Sequence, residues 1–194
     1  MFAVLVSLLL VVLVNVEGLK PCDAPEVWNA RSMTIDPSKN YTVFSKLSYD
    51  AIDERLSMDE MVYLQAQKER MFYKFIFLYK EQVLYQLRME NMTEKCIKND
   101  LTEPFKKIQV PKNATSMGDL TIGSNAEPGL GVNIAVFAGK TPEGDPYYLT
   151  VTEKGCVPVS EGILSKKYGY MHTSFFDVEL GVDPNVFVPP ESCG

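Results

Sequence analysis

The chain has 194 residues, a formal net charge of −6, and 46% hydrophobic against 23% charged residues. That balance belongs to a globular protein and excludes a disordered or collagen-like one. The acidic charge, with no basic stripe along the chain, argues against nucleic-acid binding, which rests on Lys and Arg contacts to phosphate.

Phe2 to Val14 is an apolar run broken by Ser7 alone, with Val16 and Gly18 following. It is shorter than the ~20 residues of a spanning helix. It reads as a secretory signal peptide over residues 1–18, cut before Leu19, although no Lys or Arg precedes the run. The competing reading is an N-terminal membrane anchor. No later stretch approaches spanning length, so no membrane span is expected in residues 19–194, which read as a single domain.

Leu19 to Ser38, with Pro21, Pro25 and Pro37, reads as an extended arm held by Cys22 and by Trp28. Tyr41 to Ser48 predicts a strand with Tyr41, Val43 and Leu47 on one face, and Tyr49-Asp50 opens a polar turn that continues through Asp53-Glu54-Arg55. Ser57 to Glu90 supports two readings. Ser57-Met58-Asp59-Glu60 fits a helix capping box, and Phe72, Phe75, Ile76, Tyr79 and Val83 fit a helical stripe. Five aromatics between Met71 and Tyr79 favour strands instead, with Tyr73, Phe75, Phe77 and Tyr79 on one face and a second strand carrying Val83, Tyr85 and Leu87.

The second half is plainer. Leu120 and Ile122 mark a short strand, and Val132, Ile134, Val136 and Ala138 alternate along another. Thr141 to Asp145 turns that strand into Tyr147 to Thr152, which predicts an antiparallel hairpin. Lys154-Gly155 turns the chain again before Cys156, and Pro158, without an N–H, ends the pairing. Ser174 to Leu180 predicts a strand with Phe176, Val178 and Leu180 inward. His172 reads as an exposed loop residue. Short strands with regular turns predict a mostly β fold, a sandwich or a half-open barrel.

The four cysteines, Cys22, Cys96, Cys156 and Cys193, show no C-x-x-C spacing, which argues against zinc. In an exported chain an even count predicts two disulfides, with three connectivities open. Three sequons, at Asn40, Asn91 and Asn113, fit export and N-glycosylation. No catalytic motif survives inspection. Gly139-Lys140-Thr141 lacks the first glycine of a phosphate loop, where Ile134 stands. Gly129-Leu130-Gly131 leads into a strand rather than a helix. A triad would have to use His172, the only histidine. There is no EF-hand loop, so a Ca²⁺ site would have to be assembled from distant oxygens. The excess of aromatic and aliphatic side chains from Met71 to Leu87 allows either a thick core or a wall lining an apolar cavity. Alternation alone offers Phe75, Phe77, Tyr79, Tyr85, Leu149 and Val151 as pocket candidates.

Several patterns together resemble the ependymin-related family. They are Pro21-Cys22-Asp23-Ala24-Pro25 with Trp28 and Arg31, Leu78-Tyr79-Lys80-Glu81, Pro104-Phe105, and Pro128-Gly129 with Gly131-Val132. They continue in Val151-Thr152 with Gly155-Cys156-Val157-Pro158-Val159, Ser174-Phe175-Phe176-Asp177-Val178, and Asp183-Pro184 with Phe187 and Pro189-Pro190. The resemblance implies a secreted or lysosomal glycoprotein built from two stacked antiparallel sheets, curved around a hydrophobic pocket as in bacterial lipoprotein carriers. It turns the region from Met71 to Glu90 into a strand pair. It also implies pairing of Cys22 with Cys156 and Cys96 with Cys193, a homodimer, and Ca²⁺ association. The expected function is binding of a lipid or other hydrophobic small molecule, with neither catalysis nor a required cofactor. The alternative is an acidic component of an extracellular or calcified matrix.

Overall fold

The regular segments are strands, and period-two alternation of aromatic, β-branched and polar residues accounts for most of them. The computed structural model describes residues 19–64, 66, 68–90, 93–167 and 169–193. The expected leader and the sequon asparagine Asn91 lie outside the described residues. The strands are β1 (Val27–Asp36), β2 (Tyr41–Asp50), β3 (Arg55–Leu64), β4 (Glu69–Leu78), β5 (Val83–Glu90) and β6 (Thr93–Asp100), then β7 (Thr115–Gly123), β8 (Gly131–Lys140), β9 (Pro146–Thr152), β10 (Pro158–Ser165) and β11 (Gly169–Leu180). Short 3₁₀ turns at Pro184–Phe187 and Glu191–Cys193 follow.

All eleven strands join one antiparallel sheet in the order β6-β5-β4-β3-β2-β1-β11-β10-β9-β8-β7. The mostly β, curved, sandwich-like fold is present, and its two layers are the two arms of this one sheet. Strands β3 and β9 lie five spacings apart in that order, about 24 Å if the sheet were flat. Yet Leu56 and Met58 of β3 border the same hollow as Leu149 and Val151 of β9. The sheet therefore curls until its arms face each other.

Two irregular segments cross the inside of the curl. Residues 22–24 pair with 108–110 through Val110 N–H to Cys22 O at 2.9 Å and Ala24 N–H to Ile108 O at 3.3 Å. Ile108 also donates its amide to the Tyr49 hydroxyl at 3.0 Å. The core beneath holds Trp28, Ala30, Leu47, Tyr49 and Ala51, with Phe105, Ile108, Phe175 and Val178 packed against it. A second cluster joins Val110, Ala135, Phe137, Val151 and Cys156. The outer face near β3–β5 is closed by the chain's end: Phe187 is buried, with the Arg55 guanidinium 4.5 Å from its ring centroid.

Several local expectations change. The arm expected from Leu19 to Ser38 straightens into β1 from Val27, because Trp28 and Ala30 find a core between β2 and β11. Tyr49 and Asp50 finish β2 and are buried, and the turn is residues 51–54. Asp50 tolerates this because the Ile52 and Asp53 amides and Arg55 all donate to it. Burial alone would raise its carboxyl; these donors outweigh that and lower it. Ser57-Met58-Asp59-Glu60 lies in β3, not in a helix cap. Pro158 opens β10, opposite Val151, instead of ending the pairing. On β11, Phe175 and Val178 face the core, while Phe176 and Leu180 are 48% and 73% exposed. A register shift opposite Asn29/Arg31, with Asp177 at φ 50°, moves the inward positions.

Candidate functional site

The curl forms two adjoining hollows, an outer and an inner part that share a border. The outer part, about 990 Å³, is bordered by Phe105, Pro111, Tyr147, Leu149 and Ile163, with Lys106, Lys107 and Lys140 around it. The inner part, about 280 Å³, lies among Leu47, Leu56, Met58, Val110, Val151 and Phe175. Leu149, Gln109 and Glu161 border both. Register explains the lining. Leu149 stands opposite Phe137 on β8 and Glu161 on β10, and Glu161 stands opposite Thr173 on β11, so all of these share the inward face. On the other arm Leu47 stands opposite Met58, and Met58 opposite Phe75.

The six pocket candidates divide three ways. Leu149 and Val151 border the hollow. Phe75, Phe77 and Tyr79 share its inward face but form a ladder of rings, with centroids 6.2 Å and 6.1 Å apart. Phe105 links the ladder to the core, 5.2 Å from Tyr79 and 5.8 Å from Tyr49. Tyr85 lies on the opposite face, paired with buried Ile76 and with the Lys98 ammonium 5.8 Å from its ring. Periodicity could not separate these cases, because β4 is apolar on both faces.

Glu161 and Glu60 were missed. Both occupy inward positions, Glu60 in line with Leu56 and Met58, and both border the inner hollow. Burial raises both carboxyls above the usual range. Glu161 has exposed surface, but that surface faces the hollow, where surrounding protein weakens its solvation. The available signal was an acidic residue at an apolar-phase position; at Glu161 the expected break at Pro158 hid the phase.

His172 is half-buried in β11 and not in a loop, and it faces away from the hollow beside Tyr148. Burial, followed by the Tyr170 hydroxyl, pushes the Tyr148 phenol up to about 12, so it stays protonated at neutral pH. Its hydroxyl is hydrogen-bonded to His172 Nδ1 at 2.6 Å, and His172 Nε2 to Ser174 Oγ at 3.0 Å, with the donor in each set by the imidazole tautomer. The Tyr148 ring lies over Gly162, where any Cβ would meet it at 2.1 Å.

The cysteines pair as Cys22–Cys156 and Cys96–Cys193. Asn40 is exposed in the turn between β1 and β2, and Asn113 is exposed on the rim of the outer hollow. Among the described residues, no group of three or more His, Cys, Asp or Glu side chains is placed to hold a metal ion. No described helix is long and apolar enough to cross a membrane.

A profile of the ependymin family matches residues 67–193. The chain belongs to the ependymin family. It is 32% identical over 178 residues to mammalian ependymin-related protein 1 of Rattus norvegicus, covering 90% of this chain and 76% of that one. It is 28% identical over 176 residues to an ependymin of Notemigonus crysoleucas, covering 90% and 79%. The fold is also similar to that of an uncharacterized conserved protein from Thermus thermophilus, with a TM-score of 0.52 at 7% identity over 86% of this chain and 88% of that one. This last likeness bears on the fold alone.

Proposed function

We propose that this ependymin-family chain is an exported glycoprotein that carries a lipid or similar hydrophobic molecule in its hollow, without catalysis. The observation that carries the reading is the inner hollow, walled by apolar side chains from both arms of the sheet and open through a wider mouth. Its dimensions suit a small amphiphile. Affinity would come from apolar area removed from water, about 25 cal/mol per Å². Family membership, two disulfides and the sequons at Asn40, Asn91 and Asn113 support export.

Native mass spectrometry of the secreted, deglycosylated and unreduced protein tests the carrier reading. The expected result is added mass that leaves as lipid on activation. Leu149→Gln should lower affinity for added amphiphiles at least about tenfold while folding normally, since an uncharged polar amide would then replace apolar surface at the junction of both parts. A wild-type protein that is always apo and refuses added fatty acids, amines and phospholipids would overturn the reading.

The outer face supports a homodimer. Met33, Phe44, Met61 and Phe72 stand directly opposite one another across β1–β4, and Phe44 and Phe72 are 45% and 56% exposed. Such a row is more apolar than a solvated sheet face requires. Sedimentation should show dimers that Phe72→Asp weakens at least about thirtyfold. Monomers alone at tens of micromolar would remove the proposal.

A further inference from the structure

The hollow's charged groups are unevenly placed. Lys106, Lys107 and Lys140 border only the outer part. The inner part has no Lys, Arg or His in its wall, but it has two carboxyls, Glu161 at the junction and Glu60 on β3. Neither carboxyl has a hydrogen-bond or ion-pair partner among the described residues, whereas the outward Asp59 beside Glu60 meets Lys74 at 3.5 Å. Glu161 also borders the outer part with the three lysines, and Glu60 has Ser45 and Tyr73 opposite it, yet neither carboxyl is ion-paired; each stands unpaired beside a mostly apolar wall, which is costly until something enters to pair it.

A bound molecule can supply what the protein withholds. An alkylammonium brings a hydrocarbon body for Leu149, Val151 and Phe175 and N–H donors for the carboxyls, giving charge-assisted hydrogen bonds in low dielectric. An alkyl carboxylate of the same length brings a like charge to the same place. A neutral alcohol brings neither benefit nor penalty of that size.

We propose that the inner hollow selects amphiphiles whose polar end carries an ammonium group, with Glu161 as the principal anchor and Glu60 as the second, and turns away alkyl carboxylates at neutral pH. This rests on the carrier reading and names its ligand class. The titratable groups facing Glu161 around the hollow are Glu60 on β3, Lys106 and Lys107 on the crossing segment, Lys140 on β8 and Tyr147 on β9. Only the two carboxyls lose charge on mild acidification, so lowering the pH narrows the preference.

Matched twelve-carbon probes test it: dodecylamine, dodecanol and lauric acid, each below its micelle concentration, titrated against the secreted protein at pH 7.4. The amine should bind at least about tenfold tighter than the acid, with the alcohol between them. Glu161→Gln should bring amine and acid to within about threefold, with dodecanol still bound to show that the hollow is intact; Glu60→Gln should give a smaller change in the same direction. Lauric acid binding as tightly as the amine would overturn the assignment, and so would a preference that survives both variants together. Binding of all three probes with equal affinity would leave the carrier reading standing and defeat this one. Binding of none would defeat both.

Discussion

Alanine in place of Trp28 should lower the unfolding free energy by about 3–5 kcal/mol. The indole is 0% exposed in β1, the strand at the middle of the curl, where β2 and β11 meet it from either side. Its ring lies 5.5 Å from Tyr49 and 6.0 Å edge-on from Phe175. Tyr49 continues into Phe105, and Phe175 borders the inner hollow, so the cavity left behind would open at the hinge of both arms. Refilling it would require strands held by hydrogen bonds on both sides to move. The indole Nε1 is buried without a hydrogen-bond partner among the described residues, so no hydrogen bond is lost in the variant and the penalty is packing. Trp28→Phe should therefore recover most of the stability, since it retains an aromatic ring and removes the unpaired donor. Urea unfolding followed by far-ultraviolet circular dichroism measures both, because Trp28 is the only tryptophan and its fluorescence disappears with it. A loss under about 1 kcal/mol in Trp28→Ala would show that this residue does not hold the arms together.

What the sequence revealed follows from how each residue is constrained. The hairpin β8–β9 was readable because one turn, Thr141 to Asp145, joins two strands that alternate cleanly. The strand pair β4–β5 was not readable from periodicity, since Phe72, Phe75, Ile76 and Tyr79 fit both periods; the family resemblance resolved it. Strand β1 was hidden by prolines that precede and follow it, although the strand itself contains none. On β11 one extra residue in the register shift, where Asp177 has φ 50°, changed the inward phase, and Asp177 meets Arg31 across the strands there. The hollow was half legible. Leu149 and Val151 lie on a strand whose phase was clear, but their opposite wall, Leu47, Leu56 and Met58, comes from strands about 100 residues earlier, and no local pattern records that approach. Glu60 and Glu161 stayed hidden for a related reason: an isolated acid reads as solvent-facing until the curvature of the sheet is known.

Removing the Cys22–Cys156 bridge with alanine at both positions should cost about 2–5 kcal/mol, and it should also weaken ligand binding. The bridge closes a sequence separation of 134 residues, and the Cys96–Cys193 bridge closes 97. In the chain-entropy model the stabilisation grows with the logarithm of that length, so the two bridges differ by only about 0.3 kcal/mol on this account. Their places in the fold differ far more. Cys22 carries the arm that pairs with residues 108–110, and Cys156 is buried beside Val110, Phe137 and Val151. That arm and its partner segment supply Ala24, Ile108 and Val110 to the inner hollow. Cys96 instead joins the edge strand β6 to the last 3₁₀ turn, away from the hollow. The two double-alanine variants should thus lose similar stability, measured by denaturant unfolding under non-reducing conditions. Only the Cys22/Cys156 variant should also lose affinity for a twelve-carbon probe at temperatures where both remain folded. Equal losses of affinity in the two variants would mean that the crossing segments do not shape the hollow, and the ligand would then have to be sought on another surface.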